Sequence, residues 1–122
     1  MDEKSHYLVS ETKQNGQKNS NFVIINLKDI ILDRSMYLFI KHNFDDKVKN
    51  KGFKVIKNDN SLPLHKWESV KNDIENHKAL DPIKIKQFKT TKYYEIIDGR
   101  HRYVSSIYND FTHIPCIIYE EL

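Results

Sequence analysis

Between residues 81 and 119 the chain switches from alternating to helical spacing and back, and this order constrains its fold more than any other feature. Ile83 and Ile85 alternate with lysines, as in a half-buried strand, and Lys89-Thr90-Thr91-Lys92 reads as a turn. Tyr93-Tyr94-Glu95-Ile96-Ile97 reads as a second strand that stops at Asp98-Gly99. A helix follows, with Val104, Ile107 and Tyr108 as its buried stripe and Asn109-Asp110 at its end. The run IPCIIY, residues 114–119, then closes the pattern as a strand. Upstream, Ser61 suits an N-cap and Pro63 a first turn, and Leu64, Trp67, Val70 and Ile74 recur at helical spacing. The spacing predicts a helix over 61–80, ended by Asp81-Pro82 because proline disfavours helical backbone in the residue before it. Helix, strand, strand, helix, strand predicts an α+β (mixed α/β) domain: a small mixed sheet with two main helices.

The first half is less regular. Residues 1–21 hold one short apolar group, Tyr7-Leu8-Val9, among polar residues, too little to offset the entropy of ordering, and are expected to form a mobile polar tail. The domain is then expected to span 22–122. The run FVII, residues 22–25, predicts a first strand and a short turn, and the apolar runs at 36–40 and 53–56 are expected to pair as a hairpin.

Composition excludes some classes. A chain of 122 residues supports one small domain, and it contains no apolar run near the ~20 residues of a membrane-spanning helix. No secretory leader is apparent, and one cysteine, Cys116, cannot form an internal disulfide, so a reducing, cytoplasmic setting is expected. A net charge of +3 permits a polyanionic partner without requiring one.

The residues most suggestive of chemistry are Asp98-Gly99-Arg100-His101-Arg102. A strand passing through glycine into a helix leaves backbone N–H groups unpaired at the helix start, and two arginines and a histidine stand at the same corner. Guanidinium forks suit phosphate oxygens. The plainer reading is that Asp98 caps the helix, Gly99 permits the turn and the basic residues form a solvated face. Lys66, Ser69 and Asp73 share a stripe of the earlier helix, along which a ligand or only solvent could lie. His101, His113 and Asp98 lack metal-site spacing, so no metal site is assigned. The lysines at 47, 49, 51, 54 and 57 are interrupted by acids and read as a solvated loop, the many tyrosines and phenylalanines as core, and Cys116 as a packed thiol.

The chain resembles the ParB N-terminal/sulfiredoxin-like family. Four ordered blocks carry the resemblance: Lys66-x-x-Ser69-x-x-x-Asp73-Ile74, Asp81-Pro82-Ile83-Lys84-Ile85, residues 94–103, and His113-Ile114-Pro115-Cys116-Ile117-Ile118. FVIINLKDIILD, residues 22–33, also resembles the opening strand. The resemblance implies a nucleoside phosphate, ATP or another nucleotide with Mg2+, its phosphates held by Lys66, Ser69, His101 and Arg102; with the corner and the stripe, the expected binding set is Lys66, Ser69, Asp73, Gly99, Arg100, His101 and Arg102. Asp73 stands where sulfiredoxins have threonine. Arg100 stands where their catalytic cysteine would be, so sulfiredoxin-type reduction is not expected.

Partition proteins carry Gly-Glu-Arg-Arg at this corner, against Gly99-Arg100-His101-Arg102 here, together with a DNA-reading element for which 122 residues leave no room. The loop also looks like the Asp-Gly-x-x-Arg version found in small-molecule kinases, and other relatives are nucleases or stand-alone phage and viral domains. The resemblance therefore implies nucleotide binding, with phosphoryl transfer or hydrolysis as the accompanying chemistry. Asp98 and His101 are then the catalytic candidates, and Glu68 and Glu95 further choices for a base. The alternative is a DNA- or RNA-binding or nuclease module using the same basic corner.

Overall fold

The computed structural model describes residues 5–11, 21–56, 64 and 66–120. Its main sheet has four strands in the order β1-β6-β4-β5: β1 (Val23–Asn26), β6 (His113–Tyr119), β4 (Ile83–Gln87) and β5 (Tyr94–Asp98). β4 runs parallel to β6, and the other two pairings are antiparallel. β6 takes an interior position because its residues are apolar on both faces: Ile114, Pro115 and Cys116 are all buried. The core-facing Ile83, Ile85, Ile114 and Cys116 are each 0% exposed. Burial pushes the Cys116 thiol up to about 12, as expected of an unreactive packing residue.

Three helices accompany this sheet: α1 (Arg34–Phe44), α2 (Trp67–Glu75) and α3 (Arg100–Tyr108). α3 lies against β4 and β6 and packs along α2. Its fully buried Tyr103 donates to the Leu27 carbonyl at 2.8 Å, and Ser105 Oγ donates to the Trp67 carbonyl at 2.8 Å. Trp67 in turn meets Phe44 (5.3 Å), Tyr108 (5.4 Å) and Phe39 (5.8 Å) in an aromatic cluster joining all three helices. The first turn of α2 is thereby held against α3. The α+β expectation stands, with a third helix added.

That helix corrects the expected hairpin. Residues 36–40 belong to α1, where Met36, Ile40 and Phe44 are buried at four-residue spacing and Asp33 caps the start by accepting from Met36 N–H at 2.7 Å. The 55–56 pair forms β3 (Val55–Ile56), parallel to β2 (Leu32–Asp33). The tail expectation fails for residues 5–11, which pack on the domain with Tyr7 only 2% exposed; residues 12–20 lie outside the described part, as do Ser61 and Pro63.

α2 also ends before Asp81-Pro82. His77 takes a left-handed conformation at φ 58°, His77 N–H bonds the Ile74 carbonyl and Lys78 N–H the Asp73 carbonyl, a Schellman closure. Glycine adopts this conformation without strain. Because His77 is exposed, His77→Gly is expected to raise the unfolding free energy by about 0.5–1 kcal/mol in urea titration; a loss of stability would contradict this account of the cap.

Candidate functional site

β5 ends at Asp98, and Gly99 turns the chain into α3 with φ 117°. A Cβ on Gly99 would lie 2.4 Å from Ile83 Cγ2, so the strand end and the helix start are pressed against Ile83 of β4. This brings the first turn of α3 to one wall of a cleft of about 730 Å3, a volume suited to a small ligand. Lys66, the N-cap of α2, and Val70 within it line the cleft, with Ala79, Leu80 and Asp81 from the following segment, Asp98, Gly99, Arg100, His101 and Arg102 from the junction, and Ser10 from the N-terminal segment.

The structure therefore unites Lys66 with residues 98–102. Ser69 and Asp73 are not among the lining residues: Ser69 is exposed, and Asp73 lies 3.4 Å from Lys78. α2 presents Val70 where the stripe reading had Ser69. Of the other carboxylates considered, Glu68 is exposed outside the cleft and Glu95 pairs with Lys86 at 3.2 Å; neither lines it. Asp98 and Asp81 are the acids of the lining.

Each basic residue has a distinct setting. Arg102, with a side chain 18% exposed, uses Nη1 to donate to the carbonyls of Asp81 (2.7 Å) and Pro82 (2.9 Å), while Nη2 lies 3.5 Å from Asp98 Oδ2. Two short bonds from one nitrogen hold the guanidinium against the backbone, and the contact to the exposed carboxylate is the longer one. Arg100 is turned to Asp33, its Nη2 3.2 Å from both carboxylate oxygens. The phosphate-neutralising role expected of Arg100 thus meets a competing partner, the acid that caps α1. The expected cap by Asp98 is also corrected: Gly99 occupies the N-cap position with no side-chain cap bond, and Asp98 reaches instead toward Arg102.

At the start of α3 the intrahelical ladder begins with Tyr103 N–H bonding the Gly99 carbonyl at 3.0 Å. The amides before it point out of the helix beside the cleft lining, where the helix dipole is positive. Among the described residues no three His, Cys, Asp or Glu side chains gather as a metal site, and no helix is long and apolar enough to cross a membrane. Sequence reasoning missed Ser10, Val70, Ala79, Leu80 and Asp81. Asp81 carried a signal, since a backbone held extended before proline exposes its carbonyl; Ser10 carried none.

The model of the ParB N-terminal domain matches residues 46–121, more than half of the chain. No curated protein sequence matches. Sulfiredoxin from Arabidopsis thaliana is similar in structure with a TM-score of 0.52 and 17% identity, over 83% of this chain and 86% of that one. A conserved hypothetical protein from Pyrococcus furiosus is similar at a TM-score of 0.53 and 14% identity, over 93% of this chain and 34% of the other. The C-terminally truncated chromosome-partitioning protein ParB from Caulobacter crescentus, complexed with CTP-gamma-S, is similar at 0.53 and 12%, over 84% of this chain and 46% of that one. The chain thus spans less than half of the last two proteins, and at these identities the likeness establishes the fold.

Proposed function

The chain belongs to the ParB N-terminal domain family, and from that premise we propose that the cleft binds the phosphates of a nucleoside triphosphate, with ATP and CTP as the first candidates. The observation that carries this reading is the Gly99 corner: Gly99 and the first turn of α3, with His101 and a braced Arg102, line one cleft together with Lys66, the residue before α2. Such a corner favours an anion by its amides, its dipole and its fixed charge together. The complex of the similar Caulobacter ParB with CTP-gamma-S supports a nucleotide as that anion.

Within this reading Arg102 and Lys66 neutralise phosphate charge and His101 donates a hydrogen bond. Asp98, with its side chain 64% exposed, is the lining carboxylate open to a nucleotide-borne Mg2+, which keeps most of its water and needs only one or two protein oxygens. Phosphoryl transfer or hydrolysis would draw on the same groups, since positioning and charge stabilisation carry most of that acceleration.

Calorimetric titration with CTP, ATP and GTP, each with Mg2+, tests the proposal. Saturable binding is expected for at least one. Lys66→Ala is expected to weaken it about three- to tenfold at unchanged melting temperature, because Lys66 is exposed and contributes charge rather than packing. Failure of all three to bind, or undiminished binding by the variant, would defeat the reading. If an oligonucleotide binds instead, with affinity that falls steeply as salt rises, the anion is a nucleic-acid phosphate.

A further inference from the structure

We propose that the N-terminal segment, residues 5–11, is a working wall of this cleft and that Tyr7 is a positioning residue for Arg102. The segment lies outside residues 46–121 of the family match, yet it is bonded to the domain at both of its ends. The Ser5 carbonyl accepts from Thr112 N–H (3.1 Å) and His113 N–H (2.8 Å), tying the segment to the start of β6. Farther along, Leu80 N–H donates to the Leu8 carbonyl and Ser10 N–H to the Leu80 carbonyl, each at 2.9 Å, and Val9 bridges Leu80 in parallel. This ladder places Ser10 in the cleft lining together with Lys66 and Arg102.

Between these anchors Tyr7 is buried, and its hydroxyl donates to the Asp81 carbonyl at 2.7 Å. The same oxygen accepts from Arg102 Nη1, also at 2.7 Å. One carbonyl therefore takes a donor from the segment and a donor from the phosphate-binding arginine. Through it Tyr7 fixes the Asp81-Pro82 backbone on which the Arg102 guanidinium rests. Burial holds the Tyr7 hydroxyl well above the ordinary phenol range, so it remains a donor at neutral pH. A phenylalanine would fill the same space without this bond, which makes the hydroxyl separable from the ring.

The inference rests on the nucleotide reading for its consequence and on Arg102 alone for its mechanism, so two measurements separate them. In full-length Tyr7→Phe, nucleotide affinity is expected to fall about three- to tenfold, measured well below its melting temperature, where the variant is folded. In the nucleotide-free protein the Arg102 Nε–H resonance, identified by its disappearance in Arg102→Lys, is expected to shift and exchange faster with water in Tyr7→Phe. A lower melting temperature with unchanged affinity and an unchanged Arg102 signal overturns the inference and leaves Tyr7 as packing. If the wild type binds no nucleotide, the cleft reading falls, while the Arg102 signal still decides whether Tyr7 positions it.

Discussion

Gly99→Ala is expected to lower the unfolding free energy by about 2–6 kcal/mol in urea denaturation and to abolish ligand binding with it. Two costs add. At φ 117° an L side chain is strained, which costs on the order of 1–3 kcal/mol. The new methyl carbon would also stand 2.4 Å from Ile83 Cγ2 and 2.6 Å from Ile83 Cβ. Ile83 is 0% exposed in the middle of the core and cannot move aside without disturbing its neighbours, an overpacking cost of about 1–3 kcal/mol. Gly52 separates the two contributions, because it has φ 78° but nothing within 4 Å of an added Cβ. Gly52→Ala is therefore expected to cost about 1 kcal/mol, the strain alone. Equal effects at the two positions would show that the contact with Ile83 contributes nothing, and the junction would lose its status as the fixed point of the site.

The parts of this fold legible in the sequence are those whose signals are local. β4, β5, α3 and β6 could be read because Ile83 and Ile85 alternate with lysines, Gly99 follows a strand-like run, and Val104, Ile107 and Tyr108 mark one helix face. α1 is hidden from a local reading because residues 36–40 are five apolar residues in a row, and such a run has no period of its own. The informative spacing was Met36, Ile40 and Phe44 behind Asp33 as a cap, which extends past the run into a polar stretch. The early end of α2 was hidden because His77 closes it in a conformation that sequence assigns to glycine.

The site divides along the same line. Residues 98–102 and Lys66 were legible, since a strand–glycine–helix corner and a basic run are contiguous patterns. Asp33 paired with Arg100, 67 positions away, and Tyr7 joined to Asp81, 74 positions away, are products of tertiary packing. No local pattern announces them. The helix stripe points to Ser69 and Asp73, but α2, whose Trp67 packs in the aromatic cluster, brings Val70 to the cleft lining in their place.

Arg102 joins the fold to the site, and its substitutions should separate charge from geometry. Arg102→Ala removes the donor from the Pro82 carbonyl and one of two donors from the Asp81 carbonyl, which keeps that of Tyr7, and is expected to cost about 2–4 kcal/mol of stability, since part-buried acceptors lose charge-assisted bonds. Nucleotide affinity should fall by at least about tenfold, one charge-assisted contact. Arg102→Lys keeps the charge, but an ammonium lacks the planar fork with which Nη1 bonds both carbonyls while Nη2 remains for another oxygen. Lysine must therefore serve either the backbone or the ligand. Its stability loss should be smaller, about 1 kcal/mol, while its binding should stay close to that of alanine. Titration calorimetry and urea denaturation on the two variants give the comparison. If Arg102→Lys binds nucleotide as the wild type does, a diffuse positive potential is sufficient. The braced guanidinium would then have no part in recognition, and the bonds to Asp81 and Pro82 would serve only to fasten α3 to the segment before β4.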